Sequence, residues 1–266
     1  MKKDSLGDRM KSFYENAYRI HLPMRIPLII RNDGRSFHNY LKGCKRPFDE
    51  NVIHAMNIVA TELCKEIQGA KIAYTQSDEI SILVINYTSL ESEAWFQNNI
   101  QKMASVSAGI ASSVMTEESI KIFGKIKRAV FDSRVFLTPV EDTNNYFYFR
   151  QQDATRNSVQ MAARAIYSHK ECNNKNNSQL QEMLFQKGIN WNNLPTSQKR
   201  GRCIIKRQFE KNGAIRNEWV VDNEIPIFSQ NKNYIEDLMK RNEKEILPTE
   251  TKIADLVGTI YEKKII

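Results

Sequence analysis

The spacing of apolar residues over positions 27–137 predicts strands and helices in alternation. Short apolar runs predict strands at 27–31, 72–74, 80–85 and 129–137. Between them, apolar residues recur every three or four positions over 51–68 and from 95 to 114, which is the spacing of amphipathic helices. The polar residues 76–79 separate the second strand from the third and predict a hairpin. This is the order of the split βαββαβ arrangement, so we expect an α+β, ferredoxin-like fold.

Beyond Pro139 the pattern changes. Helical spacing runs from about 145 to 169, and apolar and basic residues on both sides of Asn212 and Gly213 predict a hairpin. Two segments are expected as exposed loops, 171–179 and 195–199. The first 26 residues are expected to form an N-terminal arm, and the last thirty or so a charged helix or coil. We therefore expect a C-terminal α+β extension after the four-stranded part.

Composition narrows the class of protein. Hydrophobic residues make up 41% and charged residues 26% of the 266 residues, which is a globular balance. The longest aliphatic run is about four residues, against the ~20 of a membrane helix, and no apolar signal segment follows the N-terminus. We therefore expect no membrane association and a cytoplasmic location, with an organelle left open. Four scattered cysteines and four histidines show no zinc-ligand spacing, and the net charge of +8 weakly favours a polyanionic partner.

Two acidic segments lie where the expected sheet would bring them together. Asp33 follows the first strand, and Asp78 lies in the turn before the third strand. In a βαββαβ sheet these two strands are neighbours, so both carboxylates are expected at one edge. Carboxylates held close together repel unless a cation lies between them, and Mg²⁺ combines one or two carboxylates with substrate phosphates. Two such ions would clamp the attacking and leaving oxygens of a phosphoryl transfer.

Gly34 would allow a close backbone approach beside the first carboxylate, and the amides after it would form a nest for a triphosphate. An Asp-Gly or Ser-Asp pair is also an ordinary turn former, so a turn alone explains either segment taken separately. The occurrence of both acidic segments at matching points of one expected sheet favours a site that binds metal ions and phosphates.

Four segments resemble the tRNA-His guanylyltransferase family, and most closely its branch of guanylyltransferase-like proteins. They are DGRSFH (33–38), RPFDE (46–50), YTQSDEISILV (74–84) and FDSRVF (131–136). The opening KKDSLGDRMK is also similar to that branch. The resemblance implies a catalytic domain similar to the palm of polymerases, which extends RNA in the 3′–5′ direction. ATP or GTP would activate the 5′ end, and the 3′-hydroxyl of an incoming nucleoside triphosphate would then attack it.

The resemblance also implies roles for individual residues. Asp33 and Asp78 would be catalytic and, with the backbone carbonyl of Gly34, would hold two Mg²⁺ ions, while Glu79 would support the site. The implied nucleotide-binding residues are Asp33, Gly34, Arg35, Ser36, Phe37, His38, Lys45, Arg46, Ser77, Asp78, Lys102 and Arg134.

Several of these assignments have competing interpretations. The family has a lysine directly before its proline, whereas this chain has Arg46 at that position and Lys45 before it, so the contact with phosphate is open between the two. Lys102 suits a solvated helix face equally well. Arg134 shares a strand face with Asp132, so a structural ion pair is the rival explanation.

Residues 153–158 depart from the tRNA-His guanylyltransferase pattern. Those enzymes carry His-Ile-Asn-Asn in this region, whereas this chain has Asp-Ala-Thr-Arg-Asn-Ser, which resembles the like-protein branch. The helical spacing predicts a polar stripe of Asp153, Arg156, Asn157, Gln160 and Arg164. The opposite, apolar side would consist of Val159, Ala162, Ala163 and Ile166. The stripe is either an exposed face or a surface that contacts the RNA end or the incoming nucleotide.

Basic residues supply the candidate contacts to RNA. The expected RNA-binding residues are Arg156, Asn157, Arg164, Lys199, Arg200 and Arg202. Contacts of this kind to the RNA backbone position the nucleic acid without reading its sequence. A solubilising surface patch explains the basic run at 199–207 almost as well.

Together, these features predict a Mg²⁺-dependent, template-directed 3′–5′ nucleotidyltransferase that repairs the 5′ end of tRNA. The alternatives are guanosine addition at position −1 of tRNA-His, a non-catalytic RNA-binding protein and a nucleotide cyclase. We expect a catalytic domain at 1–139 and an RNA-handling domain at 140–266. The partners would be tRNA and nucleoside triphosphates, and the family implies a homotetramer, built as a dimer of dimers.

Overall fold

The structure is a computed structural model that describes residues 5–211 and 213–240. Six strands form one antiparallel sheet in the order β4-β1-β3-β2-β5-β6. The strands are β1 (Leu28–Gly34), β2 (Ala70–Gln76), β3 (Glu79–Val84), β4 (Phe131–Leu137), β5 (Arg202–Lys211) and β6 (Ala214–Asp222). Asn212 of the expected hairpin turn, and most of the last thirty residues, lie outside the described residues. The expected α+β class is confirmed.

Nine α-helices occur in the described residues. They are α1 (Leu6–Met10), α2 (Phe37–Tyr40), α3 (Glu50–Glu66), α4 (Ile100–Phe123), α5 (Val140–Arg164), α6 (His169–Cys172), α7 (Asn177–Gln186), α8 (Thr196–Arg200) and α9 (Asn233–Glu236). Short π- or 3₁₀-helical turns occupy Lys11–Glu15, Trp95–Asn98, Trp191–Asn193 and Asp237–Met239. No helix among the described residues is long and apolar enough to cross a membrane.

One face of the sheet is covered by α3 and α4. The first of these begins where the Asp49 side chain accepts a hydrogen bond from the Asn51 amide at 3.0 Å, which caps the helix. Most of its apolar stripe, including Met56 and Leu63, is buried against Leu28 and other residues of the sheet. The spacing of three and four that predicted this helix is therefore the spacing of its buried face.

The opposite face is covered by α5 and by the segment that follows β6. Phe147 of α5 and Phe228 are fully buried and pack against Ile29 and Tyr74 of the sheet. The second half of α5 extends beyond this core and packs with α7 in a separate cluster around Trp191. As a result, α5 contributes to two clusters, the core on this face of the sheet and the separate cluster around Trp191.

The arrangement of the strands positions both acidic segments. β1 and β3 are neighbours, as expected, and their register places Asp33 opposite Glu79. β5 pairs with β2, so strands from the chain beyond Pro139 extend the same sheet. The division into domains at 139/140 stays a prediction.

Several expected boundaries were wrong. The helix expected over 145–169 is α5, which begins at Val140 and ends at Arg164. Ile166 is exposed because it lies beyond the end of this helix, where helical spacing no longer applies. The helix expected from 95 to 114 is a 3₁₀ turn followed by α4, and the two are separated because Phe96 and Gln97 have left-handed φ values of 50° and 54°.

The loops expected at 171–179 and 195–199 contain helical turns. Ser168 with Glu171, and Asn176 with Gln179, form capping boxes that begin α6 and α7. Pro195 directly precedes α8, and proline is favoured near the first turn of a helix. These polar residues therefore begin helices, although their composition is typical of loops.

Phe228 tests whether the segment after β6 belongs to the cooperative core. We expect Phe228→Ala to lower the free energy of unfolding by about 3–5 kcal/mol, because it leaves a cavity between α5 and the sheet. Phe209→Ala is the matched control, since Phe209 is 38% exposed on β5 and its loss should cost about 0.5 kcal/mol or less. Urea denaturation followed by circular dichroism measures both values. Equal losses in the two variants would contradict the packing described.

Candidate active site

Asp33 and Asp78 lie side by side at one end of the sheet. Asp33 is near the end of β1, and Asp78 is in the two-residue turn that joins β2 to β3. The Gly34 amide donates a hydrogen bond to the backbone oxygen of Asp78 at 3.0 Å, which ties the two segments together. The expected meeting of the acidic segments is therefore present.

The surroundings of Asp78 disfavour its charge. Burial raises the pKa of the Asp78 carboxyl, and the charges of Asp33 and Glu79 raise that pKa further, against a hydrogen bond of 2.9 Å from Ser77 Oγ. The described residues contain no group of three or more His, Cys, Asp or Glu side chains with the geometry of a metal site. The acidic pair is therefore a place where a cation would relieve repulsion, with further ligands coming from elsewhere.

A series of ion pairs, which we call the carboxylate–arginine chain, runs from Asp33 to α5. Arg31 Nη2 donates to Asp33 Oδ2 at 3.0 Å and to Glu79 Oε2 at 2.6 Å. Arg150 donates to both oxygens of Glu79, from Nε at 2.6 Å and from Nη2 at 2.9 Å, and Nη2 also reaches Asp153 Oδ2 at 2.8 Å. Both oxygens of Glu79 are therefore occupied by guanidinium groups, whereas Asp33 Oδ1 has no hydrogen-bond partner in the part of the chain described.

The turn after β1 has a compact backbone. A Cβ atom on Gly34 would lie 2.6 Å from Cε2 of Phe37, so the aromatic ring requires a glycine at that position. Ser36 has a left-handed φ of 57°, and Ser77 in the other turn has one of 49°, a conformation that serine adopts at some cost. Within the described residues, the amides of Ser36, Phe37 and His38 have no hydrogen-bond acceptor. Three successive amides are thus available to an anion, in agreement with the expected nest.

These turns open onto a cavity of about 600 Å³, which is the size of pockets that bind small ligands. The expected nucleotide-binding residues that line it are Gly34, Ser36, Phe37, His38, Ser77 and Asp78, together with Lys45 and Arg46. The backbone before α3 is held by Asp49, which accepts the Lys45 amide at 2.9 Å. Both Lys45 and Arg46 face the cavity, so the choice between them as the phosphate contact stays open.

Residues from the second half of the chain complete the wall. Arg164 of α5 and Arg202 at the start of β5 both line the cavity, beside apolar Met161 and the α3 residues Val52 and Ile53. Val52 and Ile53 belong to the apolar positions that predicted α3, and in the structure they are half-buried and line the cavity. The cavity is therefore apolar on one side and mostly basic around it.

The other expected site residues lie outside the cavity wall. Asp33 and Arg35 are adjacent to it in the chain, and the Arg35 amide bonds the carbonyl of Val130. Lys102 is exposed on α4, with Nζ 5.7 Å from the centre of the Phe96 ring. Arg134 is also exposed and lies 3.6 Å from Asp132, which matches the structural ion pair considered as its alternative.

The residues expected to contact RNA differ in how exposed they are and in the partners they already have. Arg156 is exposed and paired with Asp153 at 3.1 Å, and Asn157 is half-buried next to it. Lys199 Nζ donates to the Asn192 carbonyl at 2.6 Å, and Arg200 is half-buried. Arg202 is only 2% exposed, which differs from the exposed position expected of a contact to an RNA backbone.

Two arginines of the carboxylate–arginine chain were missed from the sequence. Arg31 is two residues before Asp33 on the same strand, so the two side chains share a face of the sheet. Arg150 is three residues before Asp153, which extends the polar stripe of α5 by one turn toward its start. Both spacings can be found in the sequence, but neither of them identifies Glu79 as the residue that binds both arginines.

Comparison with known proteins identifies the class. Paired acidic residues beside a basic, ligand-sized cavity suit an enzyme that handles nucleotides, and a family model described as "tRNAHis guanylyltransferase" matches residues 7–139. The chain belongs to the tRNAHis guanylyltransferase family, and it is therefore a nucleotidyltransferase.

Two curated relatives illustrate the similarity in sequence. The "Probable tRNA(His) guanylyltransferase" of Drosophila melanogaster is 29% identical over 68% of this chain and 67% of its own length. The "tRNA(His) guanylyltransferase" of Saccharomyces cerevisiae is 27% identical over 68% of this chain and 82% of its own length.

Among solved structures, a bacterial tRNA(His) guanylyltransferase (Thg1)-like protein in complex with ATP is 46% identical, with a TM-score of 0.83. That match covers 90% of this chain and all of the other. A structure of such a protein in complex with GTP is 47% identical, with a TM-score of 0.79, over 89% of this chain and 99% of the other.

Arg150 offers a direct test of the carboxylate–arginine chain. We expect Arg150→Met to lower the free energy of unfolding by about 3–5 kcal/mol, because the buried Glu79 carboxylate loses its main partner. Arg156→Met is the matched control, since Arg156 is exposed and its single pair should contribute about 1 kcal/mol or less. Chemical denaturation of both variants measures the difference, and a loss at Arg150 no larger than that at Arg156 would contradict the assignment.

Proposed function

We propose that this enzyme adds nucleotides to the 5′ end of a tRNA. The observation that supports it best is the pair Asp33 and Asp78, held together by the Gly34 amide beside a cavity with free amides and basic side chains. Such a site suits the binding and reaction of phosphates. Membership in a nucleotidyltransferase family argues against a non-catalytic RNA-binding protein and gives no support to a nucleotide cyclase.

The fold supports a catalytic core similar to a polymerase palm. The four strands before Pro139 have the order β4-β1-β3-β2, with α3 and α4 on one face. This is the strand order of the split βαββαβ arrangement that the sequence predicted. In this proposal, Asp33 and Asp78 occupy the edge of the palm at which nucleotides react.

The same residues suit magnesium ions. Among the described residues, Asp33 Oδ1 has no hydrogen bond. Burial raises the pKa of Asp78, and the charges of Asp33 and Glu79 raise that pKa further, so a nearby cation would favour the ionised carboxylate. The two carboxylates and the Gly34 carbonyl would hold Mg²⁺, with phosphate oxygens completing the ligands. When bound, the ions would neutralise charge on the reacting phosphates.

The residues of the chain would bind and orient the reactants. The amides of Ser36, Phe37 and His38, with Lys45 or Arg46, would hold a triphosphate. The activated 5′ phosphorus of the RNA would form a bond to the 3′ oxygen of the incoming nucleotide. The bond to its activating group would break, and the hydroxyl proton would pass to water. Such a site accelerates the reaction by holding the two reactants in line and by stabilising the charge on the phosphates.

The comparisons favour guanosine as the nucleotide that is added. The curated relatives are tRNA(His) guanylyltransferases, which supports the guanosine-adding alternative better than the template-directed repair preferred from the sequence. Template-directed repair is the second candidate, for two reasons. Residues 153–158 lack His-Ile-Asn-Asn, and the like-protein structures have higher identity than the curated relatives and contain either ATP or GTP.

A template assay distinguishes these two functions. Full-length and 5′-truncated tRNAs are incubated with Mg²⁺, ATP and each labelled nucleotide in turn. Guanosine addition predicts incorporation of G whatever the opposing base is. Incorporation of only the complementary base at each position would overturn guanosine addition in favour of repair. No incorporation into any tRNA would contradict both.

The acidic pair predicts a specific loss of activity. We expect Asp78→Ala to reduce incorporation by roughly a hundredfold or more while tRNA affinity stays nearly constant, because the carboxylate acts on the reacting phosphates. Asp142→Ala, which removes an exposed carboxylate of α5, is the control and should keep its activity. Single-turnover kinetics and filter binding separate the two quantities. Normal incorporation by the Asp78 variant would refute the assignment.

The remaining expectations stay predictions. A homotetramer, a cytoplasmic location and a second, RNA-handling domain at 140–266 are compatible with this function. We propose contact with the nucleotide or with tRNA at the exposed residues Lys102, Arg134 and Arg156 and at the half-buried Asn157.

A further inference from the structure

Arg202 is a buried arginine at the wall of the cavity. It is the first residue of β5 and lies opposite Thr75 of β2, close to the turn that contains Asp78. The side chain points to the same face of the sheet as Ile204, toward α3. Only 2% of the residue is exposed, yet it lines the cavity.

Neutral groups satisfy only part of this guanidinium. Nε donates to Asn57 Oδ1 at 2.7 Å, and Nη1 has a longer contact of 3.4 Å to the Ser197 carbonyl. Nη2 is buried and has no hydrogen-bond partner among the described residues. No carboxylate in the described part of the chain forms an ion pair with Arg202. Burial lowers the pKa of Arg202 to about 10, so the group still carries its charge at neutral pH.

The charge of Glu50 attracts Arg202 without forming an ion pair, so the buried guanidinium is only partly compensated. Such a group is costly, and its position calls for a specific partner. Arg150 of the carboxylate–arginine chain is similarly buried, but it forms ion pairs with two carboxylates, Glu79 and Asp153. Arg202 instead has one donor without a partner among the described residues, and the residue lines a cavity whose wall also contains Lys45, Arg46 and Arg164. An anion is the partner that would compensate it.

The shape of the group favours phosphate. A guanidinium presents planar, parallel donors that match two oxygens of a phosphate, and such charge-assisted bonds are the stronger ones. The unpartnered Nη2 is one such donor, and the weak contact of Nη1 could be exchanged for a second. A base carbonyl would satisfy one donor but would leave the charge uncompensated.

We propose that Arg202 binds a phosphate group of the ligand that occupies this cavity. This inference rests on the proposed function, which supplies two sources of that phosphate, the nucleoside triphosphate and the 5′-phosphate of the tRNA. It changes the role of Arg202 from a surface contact with the RNA backbone to an anchor inside the site. Asn57 and Ser197 orient the guanidinium, and the ligand completes its hydrogen bonds.

Binding measurements without catalysis test this proposal. Arg202→Met removes the charge, Arg202→Lys keeps the charge but not the planar donors, and Arg216→Met removes an exposed charge from β6 as the control. Isothermal calorimetry measures inorganic tripolyphosphate, GTP, ATP and guanosine. Filter binding compares one tRNA with a 5′-phosphate and with a 5′-hydroxyl. Thermal melting of each variant shows that it is folded.

We expect Arg202→Met to weaken binding about tenfold to a hundredfold in one of two patterns. Weaker binding of tripolyphosphate, GTP and ATP, with guanosine unchanged, assigns the phosphate to the nucleotide. Loss of the preference for a 5′-phosphate, with nucleotides unchanged, assigns it to the tRNA. In either case Arg202→Lys should recover part of the affinity, and Arg216→Met should match the unaltered protein.

Two results would overturn the proposal. In a folded Arg202→Met protein, unchanged affinity for all of these probes would leave Arg202 a purely structural role between α3 and α8. A loss confined to guanosine and GTP would instead assign Arg202 to the base. If Arg202→Met does not fold, Arg202→Lys is decisive. We expect that variant to bind tripolyphosphate or the 5′-phosphorylated tRNA more weakly than the unaltered protein, and unchanged affinities would reject the proposed guanidinium–phosphate contact. A failure of nucleotide transfer in the template assay would leave these binding results valid, so the two hypotheses fail separately.

Discussion

The antiparallel pairing of β1 with β3 is the constraint on which the site depends. Its register places Asp33 opposite Glu79, and the Gly34 amide then reaches the carbonyl of Asp78 at the turn. Side chains alternate between the two faces of a sheet, so a slip of one residue would turn Asp33 toward the apolar core. The buried residues of both strands fix that register, since Ile30 lies opposite Ile82 on the α3 and α4 face. Packing in the core therefore determines where the carboxylates meet.

The carboxylate–arginine chain carries this geometry from the sheet to α5. Glu79 is 71 residues from Arg150 in the chain, yet Arg150 bonds both of its oxygens and Arg31 links it to Asp33. Buried charged groups that are paired in this way stabilise one arrangement of their side chains. Removal of one partner would leave a buried charge without compensation, which costs stability. The helix beyond Pro139 is thus part of the support of Asp33, although the sequence places it in a separate, RNA-handling segment.

The sequence predicts the parts of this architecture that depend on local spacing. The strand and helix order over 27–137, the buried face of α3 and the meeting of Asp33 with Asp78 all follow from periodicity and turn residues. What it does not predict are contacts between distant segments, such as Arg150 with Glu79, because any of several acidic residues would suit an arginine equally well. The loop expected at 171–179 instead contains the end of α6 and the start of α7, because the polar residues of a capping box have the composition of a loop.

The sequence does not show which residues of a basic run are buried. Lys199, Arg200 and Arg202 form one basic run, and the sequence gives all three the same role. In the structure, Lys199 bonds a nearby carbonyl, whereas Arg202 begins a strand whose alternation turns it toward α3 and the cavity. A half-buried lysine next to solvent contributes a largely screened charge, but a buried arginine with an unpaired donor has few ways to satisfy its charge. The net charge of +8 favours a polyanionic partner. The alternation of side chains along β5 places Arg202 at the cavity wall, where it can contact such a partner.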